Sequence, residues 1–119
     1  MRRSWVIVGI LCLMPTLAVG QVGWGTAMKG GPFLEFRGED WSIFQSAVVR
    51  AAEGLPNDVS TWSNAKTKAH GDVKVIKQSE RPGLGECRDL RGQASARGRT
   101  GPFAITLCRQ PGQQWKIAG

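Results

Sequence analysis

The residues of this 119-residue chain with the most chemistry to offer are its three cysteines, its single histidine and its arginines. Cys87 and Cys108 can join as a disulfide or ligate a metal with His70. A zinc site takes four ligands as a rule, so two thiols and a distant His70 fall short of one. The pair therefore reads as a disulfide, the alternative being two buried free thiols. His70 precedes Gly71, and acid–base work would need a nucleophile or acid held within hydrogen-bond reach. No such partner is visible in the sequence. Ser63 and Ser95 lack the strained G-x-S-x-G setting of an activated serine. Asp72, Glu80, Glu86 and Asp89 are scattered among basic residues and read as paired or solvated carboxylates rather than a catalytic couple. The chain thus reads as a protein that is not an enzyme and needs no cofactor, with a hydrolase built on His70 as the weaker reading.

A disulfide needs an oxidising compartment, and the first twenty residues supply a route to one. Arg2 and Arg3 are followed by an apolar stretch from Trp5 to Leu17, interrupted by Pro15, and then by Ala18-Val19-Gly20. Positive start, apolar middle and small-residue cleavage site are the parts of an export signal. The thirteen positions from Trp5 to Leu17 fall short of the roughly 20 that span a bilayer. Cys12 leaves with residues 1–20, so the exported chain keeps Cys87 and Cys108. The expected location is the periplasm or the periphery of the outer membrane and cell surface. No later segment is long and apolar enough for a transmembrane helix.

Certain elements must bring the two cysteines together. Trp41, Phe44, Val48 and Ala51 recur at three- and four-residue steps, which predicts an amphipathic helix over Glu39–Glu53. Glu39 and Asp40 favour its positive end, and Gly54 and Pro56 stop it. From Val59 the period shortens, with β-like runs at 59–63, 72–77, 86–94, 103–109 and 114–117. Asn64, His70-Gly71, Pro82-Gly83, Gly98 to Pro102 and Pro111-Gly112 read as the turns between them. Connections this short favour antiparallel neighbours. The expected fold is α+β, one helix packed on a meander of four to five strands. A hairpin turning at Arg97-Gly98 sets Cys87 opposite Cys108, within bridging reach. Closing such a loop contributes roughly 3 kcal/mol. The domain is expected over residues 38–119, preceded by a glycine-rich, flexible leader at 21–37 from which Trp24 and Phe33 can dock. Trp41, Phe44, Trp62 and Trp115 are the expected structural aromatics.

The net charge is +7, and it is unevenly spread. Residues 21–59 hold Lys29, Arg37 and Arg50 against five acids, whereas residues 60–119 hold eleven Lys or Arg against four. A basic half fits an anionic envelope component or an acidic protein as partner. Nucleic acid is a poor candidate, because export removes it and no nucleic-acid motif is present. Arg88, Arg91, Arg97, Arg99 and Arg109 cluster around the cysteine hairpin and form the candidate anion-binding patch. Because Arg88 and Arg109 directly follow the cysteines, an inward disulfide would send both outward.

Several landmarks, taken in order, resemble a known family. Trp62-Ser63-Asn64, Thr67, Gly71-Asp72-Val73, Cys87-Arg88, Leu107-Cys108-Arg109 and Trp115-Lys116-Ile117 are similar to the C-terminal domain of bacterial surface antigens related to the rickettsial 17-kilodalton antigen. The helix entry at Asp40-Trp41 and the Ala51–Pro56 stretch are similar as well. Lys68 stands where the family carries glycine, and neither a glycine zipper nor a lipid-attachment context precedes the domain. The resemblance implies an envelope location and no catalytic activity. The expected function is that of a non-enzymatic envelope or surface protein with a disulfide-braced basic sheet. The alternative is a small secreted inhibitor or effector of an acidic protein.

Overall fold

The computed structural model describes residues 23, 24 and 27–118. The expected signal segment at 1–20, with Cys12, lies outside the described residues.

The fold is α+β, one helix on a five-stranded antiparallel sheet with sequential strand order. Helix α1 spans Asp40–Ala52, with Glu39 and Glu53 as its caps. The strands are β1 Val59–Ser63, β2 His70–Arg81, β3 Gly85–Ala96, β4 Arg99–Arg109 and β5 Lys116–Ile117. β2, β3 and β4 are longer than the apolar runs predict, because their ends carry polar residues that still pair in the ladder. His70-Gly71 is accordingly not a turn but the start of β2. Gly101 and Pro102 likewise belong to β4, and the β3–β4 turn is only Arg97-Gly98. Both of those residues have positive φ, 51° and 83°, the backbone that a tight two-residue hairpin needs.

One face of the sheet meets the helix. Phe44, completely buried, is the hub of an aromatic cluster. Its ring lies 5.1 to 6.2 Å from those of Trp24, Phe33, Phe36, Trp41, Trp62 and Phe103, mostly edge to face. Val73, Val75, Leu90, Ile105 and Leu107 complete the core from the sheet. Gly71 and Gly92 make room for it. A Cβ on Gly71 would strike the Trp62 ring, and one on Gly92 would strike Phe103.

Residues before the helix also belong to this core, which corrects the expectation of a flexible leader at 21–37. Trp24, Met28, Phe33 and Phe36 are buried, and Gly31–Glu35 forms a 3-10 helix. The glycines raise the entropy of the unfolded leader, but burial of four large apolar side chains outweighs that cost at roughly 1.5–3 kcal/mol each.

β2 carries one irregularity. Val75 pairs with Leu90 and Lys77 with Asp89, leaving Ile76 as an extra residue. Such a bulge increases the local twist.

Candidate functional site

The disulfide forms where expected. Cys87 and Cys108 are register partners on β3 and β4, with Cα atoms 4.1 Å apart. Their side chains do not point toward the helix. Leu90, Phe103, Ile105 and Leu107 face the helix, so strand alternation puts both cysteines on the opposite face. Arg88 and Arg109 therefore point to the helix side, the reverse of the arrangement that an inward disulfide would impose.

There the two arginines are held by acids and an indole. Arg109 Nε donates to Glu86 at 2.7 Å, and its Nη1 donates to Glu53 at 2.8 Å. Arg88 Nη2 donates to the other Glu86 oxygen at 2.9 Å. The guanidinium carbons of Arg109 and Arg88 lie 4.3 and 5.3 Å from the Trp115 ring centre, within cation–π range. Trp115 Nε1 donates to Glu53, which ties the segment entering β5 to the end of α1. The hydrogen bond from Arg109 holds the Glu86 carboxyl below the usual carboxylate range, against an opposing effect of desolvation. The same contact raises the Arg109 guanidinium. This is a lock between helix and sheet, with its cations already paired.

The remaining three arginines separate. Arg97 lies in the β3–β4 turn and Arg99 opens β4, and each approaches Glu35 at 3.5 Å. Arg91 lies on the open face, away from the other four. The candidate patch thus divides three ways, because its acids, Glu35 and Glu53, are distant in sequence and come from the leader and the helix.

The open face presents a different basic site. Arg91 on β3 is the register partner of Lys74 on β2. Both are exposed, and neither joins an ion pair among the described residues. Like charges directly opposed across strands repel and are destabilising. Around them lies a shallow groove of about 340 Å³ lined by Val59, Asp72, Gln93 and Pro102. Asp72 Oδ1 accepts the Gln93 backbone N–H at 3.2 Å. Sequence reading missed Lys74 because it follows Arg91's group by strand register and not by chain position.

Other singled-out residues have structural settings. Asp40, fully buried, accepts hydrogen bonds from Asn64 Nδ2 at 2.8 Å, Thr67 Oγ1 at 2.6 Å and the Arg37 backbone N–H at 2.7 Å. It ties the helix start to the β1–β2 turn, in which Lys68 takes a left-handed φ of 70°. His70 is exposed, with Nδ1 3.0 Å from the Lys68 carbonyl oxygen. Register sets it between Ser63 and Ser95, yet Ser95 Oγ accepts a hydrogen bond from Thr100. Phe44, Trp62 and Trp115 are core residues, and Trp41 packs partly buried against them.

Among the described residues, no helix is long and apolar enough to cross a membrane. Comparison with known proteins finds no matching family model, no matching curated protein and no matching solved structure.

Proposed function

We propose that this chain is a non-enzymatic exported protein of the cell envelope, of the surface-antigen type it resembles, and that its disulfide-braced sheet binds an anionic partner. The observation that carries the reading is the Lys74–Arg91 pair. Two cations opposed on an open strand face weaken the sheet locally, and an anion between them would relieve the repulsion. The disulfide suits an oxidising compartment outside the cytoplasm. The reading of residues 1–20 as an export signal supports the same location. The exposed His70 turns its Nδ1 to the Lys68 carbonyl oxygen, a contact that a surface histidine makes.

The test replaces both cations, Lys74→Gln with Arg91→Gln, and measures binding of the purified chain to envelope preparations at two salt concentrations. Wild-type binding should weaken at the higher salt, since mobile ions screen exposed charges. The double variant should bind weakly at both. Equal, salt-insensitive binding by the two proteins would remove the open face from the account. A stoichiometric acidic protein recovered from periplasm or medium, with no envelope binding, would favour an inhibitor or effector instead.

A further inference from the structure

We infer that the groove on the open face takes an acidic sugar, a carboxylated hexose unit of a glycan. The inference rests on the reading of that face as a binding surface and adds the chemistry of what it binds. Four observations meet in the groove. Lys74 and Arg91 supply, side by side, two cations with no ion-pair partner among the described residues. Asp72 lies one strand repeat away on the same face, about 6.7 Å along β2. One of its oxygens holds the Gln93 N–H, and the other has no partner among the described residues. Val59, 60% exposed, and Pro102 place apolar surface at the two sides.

This set matches a ligand with an anion at one end and hydroxyl donors at the other. A sugar carboxylate would sit between Lys74 and Arg91 as a charge-assisted acceptor. Ring hydroxyls would donate to the free Asp72 oxygen and accept from the Gln93 side-chain amide. The apolar C–H faces of the ring would lie on Val59 and Pro102. A simple phosphate or a phospholipid headgroup gains nothing from Asp72, which repels it. An extended acidic peptide adds to a free strand edge, and β2 and β3 beneath the groove are each paired on both sides. The groove is also near the lower end of the roughly 300–1,000 Å³ range of small-ligand sites.

The experiment titrates the purified chain, by calorimetry and amide chemical shifts, with four probes. These are a galacturonate trimer, its neutral methyl ester, inorganic phosphate and phosphatidylglycerol vesicles. The trimer should bind saturably and shift the Gly92 and Gln93 amides, and the ester should bind at least about tenfold more weakly. Lys74→Gln with Arg91→Gln should cause a similar loss. Asp72→Asn should weaken the trimer by about threefold through its lost acceptor. Circular dichroism should be unchanged in these exposed-face variants.

Phosphate or vesicles binding as tightly as the trimer, with Asp72→Asn tightening them, would overturn the sugar while leaving the basic surface standing. Failure of all four probes would also overturn it. The broader reading falls with it only if salt-dependent binding to envelope preparations is absent too.

Discussion

At the scale of single residues, this protein separates cations that hold the fold from cations that are left available. Arg88 and Arg109 share Glu86 and stack on Trp115, whereas Lys74 and Arg91 face each other with no ion-pair partner among the described residues. Glu86 makes the first group sensitive to pH. Its carboxyl titrates lower in the folded chain than in the unfolded one, so in acid the unfolded state binds more protons. Its stabilising contribution is complete above the usual glutamate range and is lost as pH falls through the lowered value. Urea melts from pH 7 down to pH 3 should show a decline that Glu86→Gln makes shallower. An unchanged slope would detach Glu86 from the acid limb. Asp40 is the costlier carboxylate to lose. Asp40→Ala leaves the Arg37 N–H, Asn64 and Thr67 donors without their acceptor and should destabilise by about 1–3 kcal/mol for each donor kept from water. Lys68 is the opposite case: at φ 70° a side chain is strained, and Lys68→Gly should stabilise by up to about 1 kcal/mol, readable in thermal melts.

At the scale of elements, the helix, the meander and the cysteine register were legible because each leaves a periodic trace. Trp41, Phe44, Val48 and Ala51 mark a helical stripe, and the two cysteines lie at equal distances from Arg97-Gly98. Which face the disulfide occupies was not legible. Leu107-Cys108-Arg109 places an apolar residue on either parity, and only the partners of Leu107 decide between them. The Ile76 bulge likewise left no mark, since it is one more residue in a mixed run. The leader's role was hidden because glycine content describes the unfolded chain, while docking depends on Phe44, which is distant from Trp24 in sequence. The separation of the five arginines was hidden for the same reason, since the acids Glu35 and Glu53 are remote in sequence. Phe44→Ala should cost about 3–5 kcal/mol by emptying the centre of the cluster. Trp24→Ala should also destabilise, which a detached leader would not allow. Removing the bridge by Cys87→Ala with Cys108→Ala should lower stability by roughly 3 kcal/mol in denaturant melts.

At the scale of the whole molecule, the two faces of one sheet carry different chemistry. The face under α1 carries the hydrophobic core and the Arg–Trp–Glu lock. The other carries the disulfide and the Lys74–Arg91 groove. A small domain can hold a cation pair that is unpaired among the described residues because β3, one of the two strands beneath it, is cross-linked to β4, and the sheet is anchored from behind by α1. The disulfide on the same face ties the proposed binding surface to an oxidising compartment. The most direct measurement is cell fractionation followed by intact mass of the recovered protein, with and without reductant. The account predicts an envelope or periplasmic product lacking residues 1–20, whose mass rises on reduction by the two hydrogens of one bridge. A full-length product with free Cys87 and Cys108, recovered from the cytoplasm, would contradict it.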